Sequence, residues 1–143
     1  MKTLYTAHVT TIAGREGQSQ SDDGYINLKL SRPGSNVPNT TNPEQLFAAA
    51  YSACFGGAIE AVARKQNINV GEVKVQADVA LNQDDNNGYF ITAALNVSLS
   101  GVDNTTAQQV VAAAHQVCPY SKATRGNIEV TLKVDNQPLA QAA

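Results

Sequence analysis

Hydrophobic and polar residues alternate along five segments of the chain, and this two-residue period is typical of β-strands with one buried face. The segments cover residues 3–12, 24–31, 70–82, 89–99 and 128–134. The third and fourth are joined by a polar stretch ending in Asn87-Gly88, a pair that favours a hairpin turn. Residues 135–143 follow the last predicted strand, and we expect a frayed tail there.

Two further segments repeat apolar residues every three or four positions, which is the period of an amphipathic helix. The longer one begins at Asn42-Pro43-Glu44-Gln45, a cap followed by a proline suited to the first turn, and extends to about Gln66. Alanine and glycine occupy much of its remaining surface, so other backbones can approach closely and we expect a central, buried helix. The shorter helix covers residues 104–118 and ends at Cys118-Pro119.

The predicted order is strand, strand, helix, hairpin, helix and strand, with no internal repeat or linker. This order indicates a single α+β domain over residues 1–143. A chain of 143 residues can bury a core without disulfides. Only 15% of its residues are charged, against roughly 25% in an average soluble domain. We therefore expect the chain to bury more surface than its own core requires, as it would in an extensive dimer interface.

The charge balance narrows the possible partners. The net charge is −2, so the broad basic field that nucleic acids require is absent, and we expect no nucleic-acid partner.

The N-terminal residues lack the apolar run of a signal peptide. The most hydrophobic stretch, Leu46 to Val62, is interrupted by polar residues, and we expect no membrane span. These features predict a cytoplasmic protein.

Two cysteines are the first candidates for chemistry. Cys54 and Cys118 lie 64 residues apart, which is neither a C-x-x-C pair nor part of a zinc-ligand pattern. Both residues can be core fillers, because free cysteine is often buried. The other interpretation is a redox pair. Cys54 lies on the apolar stripe of the long helix, whereas Cys118 lies at a helix end where we expect freedom to move.

Four segments carry a resemblance to a known family. Residues 42–55 read Asn-Pro-Glu-Gln-Leu-Phe-Ala-Ala-Ala-Tyr-Ser-Ala-Cys-Phe, and residues 114–121 read Ala-His-Gln-Val-Cys-Pro-Tyr-Ser. With Gly-Arg-Glu-Gly at 14–17 and Thr-Arg-Gly-Asn at 124–127, they resemble the organic hydroperoxide resistance (Ohr) branch of the OsmC-like family. The resemblance covers nearly the whole chain. Lys122, where many relatives carry Asn, and Ala50, where Gly is common, depart from the pattern without touching a reactive group.

The resemblance implies an OsmC-like fold, with antiparallel sheets around a central buried helix in an intertwined homodimer. It also implies a thiol-dependent peroxidase that reduces organic hydroperoxides, including those of fatty acids, to alcohols. Cys54 would be the peroxidatic cysteine and Cys118 the resolving one, with a Cys54–Cys118 disulfide between them. No bound cofactor or metal is implied. The disulfide would be reopened by an external dithiol, a dihydrolipoyl group on a carrier protein.

The resemblance makes Arg15 and Glu44 the residues that set up Cys54. A nearby guanidinium favours the thiolate and lowers the thiol pKa. The guanidinium of Arg15 can also bind a carboxylate with two parallel hydrogen bonds, so Glu44 would orient Arg15. Glu44 and Cys54 are ten residues apart on one helix, hence about 15 Å along its axis. Arg15 therefore bridges a bent helix start, or Glu44 reaches the Cys54 of a second subunit; we favour the second arrangement.

Aromatic residues around the cysteines are candidates for binding an apolar substrate: Phe47, Tyr51, Phe55 and Tyr120. Side chains at helical spacing are equally well explained as core packing. His115, three residues before Cys118, either interacts with that thiol or occupies a favourable helix C-terminus. Two other functions remain open: a non-catalytic redox sensor that binds a partner, and the OsmC branch with broader peroxide specificity.

Overall fold

The computed structural model describes residues 1–139. The chain divides into two compact units, Met1–Leu46 and the residues from Phe47 onward, and one long helix runs across the boundary between them. The predicted single domain over residues 1–143 stays a prediction.

The first unit carries a three-stranded antiparallel sheet. Its strands are β1 (Val9–Ile12), β2 (Gln18–Ser21) and β3 (Asn27–Lys29), in the order β1-β2-β3. The sequence predicted β1 and β3 as longer strands and missed β2, whose residues Gln-Ser-Gln-Ser have no hydrophobic alternation. Most residues of this unit are exposed.

A tight turn joins β1 to β2. Gly14–Glu16 form one turn of 3-10 helix, preceded by Ala13 in the left-handed region at φ 61°. Gly17 closes the turn against β1: a Cβ at this position would lie 1.7 Å from the carbonyl oxygen of Ile12. Only glycine fits there without moving the backbone, so this residue fixes the position of the turn that carries Arg15.

The long helix α1 covers Pro43–Gln66, within a residue of its predicted start and at its predicted end. The side chain of Asn42 accepts a hydrogen bond from the backbone N–H of Gln45 at 2.8 Å, which confirms it as the cap. Asn67, the residue that follows the helix, has a positive φ of 53°. Ile68 then donates its backbone N–H to the carbonyl of Ala63, the bond that commonly closes a helix at such a residue.

The second unit contains a four-stranded sheet and two further helices. Strands β4 (Val73–Gln83) and β5 (Tyr89–Leu99) form the predicted hairpin, followed by α2 (Asn104–Val117), α3 (Pro119–Thr124), β6 (Val130–Val134) and β7 (Gln137–Pro138). The sheet order is β4-β5-β6-β7.

The expectation of antiparallel sheets is wrong for one pair of strands. β5 and β6 run parallel, with Ala93 opposite Val130 and Val97 opposite Val134. Parallel neighbours require a crossover connection, and α2 with α3 provides it. The sequence pattern predicts Pro119 only as the end of α2 and misses α3, which begins at that proline. The predicted frayed tail is also wrong at 137–138, where β7 pairs with β6; residues 140–143 lie outside the described part of the chain.

The core of the second unit lies between one face of α1, the sheet and α2. Its largest fully buried apolar side chains include Tyr51, Phe55 and Ile59 of α1 and Leu95 and Val97 of β5. The opposite face of α1 is exposed at several small residues, namely Ala49, Ala53, Gly57 and Ala61. Burial of α1 on all sides therefore stays a prediction.

By length and composition alone, α1 is a candidate for crossing a membrane, contrary to the expectation from sequence. The core helix of a soluble protein has the same length and composition. Tyr51, Phe55 and Ile59 of this helix are completely buried in the core, and 33% of its most apolar stretch is buried.

Candidate active site

Arg15 and Glu44 form a two-pronged ion pair within the first unit. Arg15 donates from Nη1 to Oε2 of Glu44 at 2.9 Å and from Nη2 to Oε1 at 2.8 Å. The Arg15 side chain is 45% exposed and that of Glu44 is 10% exposed. The hydrogen bonds from Arg15 hold the pKa of the Glu44 carboxyl below its usual value, although partial burial opposes them. Glu44 in turn raises the pKa of Arg15. Both groups are thus charged at neutral pH, and Glu44 accepts two hydrogen bonds from Arg15 as the sequence analysis expects.

The local structure explains why this pair forms. Arg15 lies in the 3-10 turn that Gly17 fixes against β1. Glu44 lies in the first turn of α1, where the helix dipole also favours a carboxylate. A rigid turn and a capped helix start hold the two side chains, so the fork-to-carboxylate geometry is obtained with little loss of side-chain freedom.

The structure brings the two cysteines together in the second unit. Sγ of Cys118 and Sγ of Cys54 are 3.6 Å apart, and both residues are free thiols. Cys118 is both the C-cap of α2 and the N-cap of α3, and its backbone is extended, with φ −63° and ψ 124°. Two residues 64 positions apart in the sequence thus meet at contact distance, which neither periodicity nor spacing could show.

Burial differs between the two thiols, and Cys54, on the apolar stripe of α1, is the less buried one. Cys118 is fully buried, whereas Cys54 is partly exposed. The backbone N–H of Cys118 donates to the carbonyl of Ala114, and its own carbonyl accepts from the N–H of Lys122, whereas the freedom of its side chain stays a prediction. Cys54 is therefore the thiol open to a substrate, and Cys118 lies beneath it.

The pKa of the Cys54 thiol is raised, and burial is the main cause because it penalises the thiolate. The backbone N–H of Tyr120 opposes this effect, while the neighbouring Cys118 adds to it. A lowering of the Cys54 pKa by Arg15 stays a prediction. A positive group beside Cys54 would oppose this effect of burial.

The four aromatic candidates form one cluster. Ring centroids lie 6.0 Å apart for Phe47 and Tyr51, 5.9 Å for Tyr51 and Tyr120, and 6.4 Å for Tyr51 and Phe55. Tyr51 and Phe55 are fully buried, whereas Tyr120 is 38% exposed and Phe47 is half-buried. Phe47 and Tyr120 thus offer surface to a ligand, and Tyr51 with Phe55 packs behind them.

Sequence reasoning missed a buried polar cluster beside Cys118, formed by Tyr51, His115, Ser121 and Thr124. Nδ1 of His115 lies 2.9 Å from Oγ of Ser121, and the Tyr51 hydroxyl lies 3.0 Å from the same atom. The Tyr51 hydroxyl also contacts Oγ1 of Thr124 at 3.2 Å. Ser121 and Thr124 lie in the unpredicted helix α3, so the pattern gave no sign that they would be buried.

Among residues 1–139, no group of three or more His, Cys, Asp or Glu side chains could hold a metal ion.

The model of the family described as OsmC-like protein matches residues 34–133. An organic hydroperoxide resistance protein from Xanthomonas axonopodis pv. citri is 48% identical over 135 residues, which cover 92% of this chain and 94% of that protein. The chain belongs to the OsmC-like family, in its organic hydroperoxide resistance branch.

Solved structures agree with this placement in the OsmC-like family. The organic hydroperoxide resistance protein OhrB of Bacillus subtilis is similar to this chain with a TM-score of 0.86 and 45% identity, covering 92% of this chain and 99% of that one. An organic hydroperoxide resistance protein from Elizabethkingia anophelis has a TM-score of 0.87 and 44% identity, covering 96% and 100%. The mixed α and β architecture, with its two sheets, is therefore confirmed as OsmC-like. The homodimer stays a prediction.

Proposed function

We propose that the protein is a cysteine-based peroxidase that reduces organic hydroperoxides to alcohols. The observation that carries the proposal is the 3.6 Å approach of the Cys54 and Cys118 sulfur atoms, one partly exposed and the other fully buried. The names of the relatives support the substrate class. The apolar surface of Phe47 and Tyr120 also suits a hydroperoxide with a hydrocarbon body.

In the first step the Cys54 thiolate attacks the distal oxygen of the hydroperoxide. The O–O bond breaks, an S–O bond forms, and the alkoxide leaves as the alcohol after it takes up a proton. Cys54 is then a sulfenic acid, having lost two electrons to the peroxide.

In the second step the Cys118 sulfur attacks the sulfur of that sulfenic acid. The S–S bond forms, the S–O bond breaks, and the hydroxyl leaves as water with the thiol proton of Cys118. The product is the Cys54–Cys118 disulfide. An external dithiol, proposed to be a dihydrolipoyl group on a carrier protein in the cytoplasm, reduces it by exchange and becomes a cyclic disulfide.

Arg15 is proposed to favour the Cys54 thiolate and to bind the peroxide oxygens, with Glu44 holding its guanidinium in position. Burial raises the pKa of Cys54, and a guanidinium nearby would oppose that effect by favouring the thiolate. We propose that Glu44 and Arg15 act on the Cys54 of a second subunit in an intertwined homodimer. Large apolar side chains of the first unit support a dimer, because Leu4, Ile12 and Tyr25 are 86%, 74% and 93% exposed.

A steady-state assay with cumene hydroperoxide and dihydrolipoamide tests the proposal. The wild type should turn over many times and the Cys54→Ser variant should be inactive. The Cys118→Ser variant should complete its first turnover at the wild-type rate and then turn over more slowly than the wild type, because an external thiol has to take the place of Cys118. One stoichiometric oxidation without turnover in the wild type would favour a redox sensor. Equal rates with cumene hydroperoxide and hydrogen peroxide would favour the broader OsmC branch.

A further inference from the structure

The polar cluster of Tyr51, His115, Ser121 and Thr124 connects three helices at a single point. Tyr51 belongs to α1, His115 to α2, and Ser121 with Thr124 to α3. All four residues are at most 3% exposed. Ser121 lies at the centre, bonded through the same Oγ to His115 and to Tyr51.

Such a cluster is costly to bury unless every member has a hydrogen-bond partner. Within residues 1–139, every buried side-chain nitrogen and oxygen has one. The cluster therefore has one preferred arrangement, and any shift of α3 would leave a hydroxyl or the tyrosine without its partner. Apolar packing alone penalises a small slide of a six-residue helix far less.

Cys118 lies directly in front of the helix that the cluster fixes. Its carbonyl accepts the Lys122 N–H of α3, and its own N–H bonds to Ala114 of α2. Arg125, just beyond α3, donates from Nη2 to the carbonyl of His115 at 2.7 Å. Both ends of α3 are thus tied to α2, and the Cys118 sulfur is held 3.6 Å from that of Cys54.

We propose that the polar cluster positions Cys118 for attack on the Cys54 sulfenic acid, so that Ser121 and Thr124 set the rate of disulfide formation without touching either sulfur. This inference rests on the proposed peroxidase function. The sulfur atoms need to close by only about 1.5 Å to reach an S–S bond of about 2 Å. Resolution therefore proceeds with α3 folded.

The same arrangement determines the fate of the sulfenic acid. The Cys118 sulfur donates an electron pair to the Cys54 sulfur, the Cys54 S–O bond breaks, and the hydroxyl leaves as water with the thiol proton of Cys118. If Cys118 is misplaced, Cys54 remains a sulfenic acid for longer. A second hydroperoxide molecule then oxidises it to the sulfinic acid, which a dithiol does not reduce.

The test separates the two steps in single-turnover experiments. Reduced protein is mixed with one equivalent of cumene hydroperoxide, quenched after set intervals and examined by mass spectrometry for the dimedone-trapped sulfenic acid and for the disulfide. The variants are Ser121→Ala and Thr124→Val, with Thr124→Ser as the conservative variant that keeps the hydroxyl. Ser98→Ala and Thr131→Val, both half-buried on the sheet, are matched controls.

We expect Ser121→Ala and Thr124→Val to form the sulfenic acid within about twofold of the wild-type rate. Disulfide formation should slow by about 10- to 100-fold, as expected when a reacting atom is slightly misplaced. Thr124→Ser and both controls should form the disulfide at the wild-type rate. Sulfinic acid should accumulate at a lower hydroperoxide dose in the two slow variants.

Disulfide formation at the wild-type rate in both Ser121→Ala and Thr124→Val would overturn the inference and leave the peroxidase function intact. Equal slowing of both steps would also overturn it, since that result indicates general disruption of the fold. No consumption of hydroperoxide by the wild type would instead refute the proposed function.

Discussion

Arg15 and Glu44 are joined by two parallel hydrogen bonds of 2.9 and 2.8 Å, and a lysine at position 15 could make only one of them. The charge would be kept while the direction of the donor groups is lost. At the residue scale, replacing Arg15 by lysine therefore distinguishes the effect of the positive charge from the effect of the orientation of the guanidinium.

We expect Arg15→Lys to lower kcat/KM for cumene hydroperoxide by about 10- to 100-fold, because the guanidinium fork is lost. Steady-state kinetics with dihydrolipoamide measures this. Arg32→Lys is the matched control, since Arg32 makes one exposed contact with Glu16 at 3.2 Å. Equal rates for Arg15→Lys and wild type would show that the orientation of Arg15 has no role.

Glu44 gives a dependence of stability on pH. Arg15 lowers the pKa of Glu44 in the folded chain, so its contribution is fully present above the unfolded value of about 4.5 and is lost as the pH falls through the folded pKa. The contribution should be about 1 kcal/mol or less, because Arg15 is half-exposed. Urea unfolding of wild type and Glu44→Gln should differ at pH 6 and converge under acid conditions. A difference that persists at the lowest pH would contradict this assignment.

At the scale of elements, the turn between β1 and β2 positions Arg15. Gly17→Ala should lower the free energy of unfolding by roughly 2 kcal/mol or more, because its Cβ would overlap the Ile12 carbonyl and the turn has to shift. Urea unfolding measures the loss. Gly24→Asn is a suitable control, since position 24 has a φ of 77°, which asparagine tolerates, and open space around it. Equal stability of Gly17→Ala and wild type would show that the turn adapts.

Some of the helices and strands could be predicted from the sequence, and others could not. Strong periodicity and the Asn42 cap predicted α1, the hairpin β4–β5 and β6 closely. Strand β2 is polar and α3 has six residues, so neither gives a pattern long enough to detect. The parallel pairing of β5 with β6 depends on the path of the crossover, which no local pattern records. The resemblance named Arg15, Glu44 and both cysteines, but it gave neither the burial of Cys118 nor the polar cluster.

At the scale of the whole molecule, the scarcity of charge and the exposed apolar side chains of the first unit favour a dimer. Mixing variants tests whether Glu44 acts on the Cys54 of its own subunit or of the partner. Glu44→Gln and Cys54→Ser are each expected to be inactive or nearly so. If Glu44 acts on the partner, a mixed dimer contains one site with both residues intact.

Unfolding and refolding the two variants together should therefore restore up to about a quarter of the wild-type activity per protein chain, because half of the dimers are mixed and half of their sites are intact. Peroxidase activity of the refolded mixture measures this. The variants refolded separately and then combined serve as the control. No recovery in the refolded mixture would show that Glu44 acts within its own subunit.

A disulfide between Cys54 and Cys118 would restrict the conformations of the unfolded chain. Their disulfide would close a loop of 64 residues containing the hairpin and α2, and loss of denatured-state entropy on that scale stabilises a protein by about 4 kcal/mol. Each catalytic cycle would thus alternate between a more stable oxidised form and a less stable reduced one, and thermal unfolding with and without reductant would show the difference. With the proposed peroxidase function, a cell short of reducing dithiol would accumulate the form that resists unfolding and proteolysis, and the protein would persist while hydroperoxide is abundant.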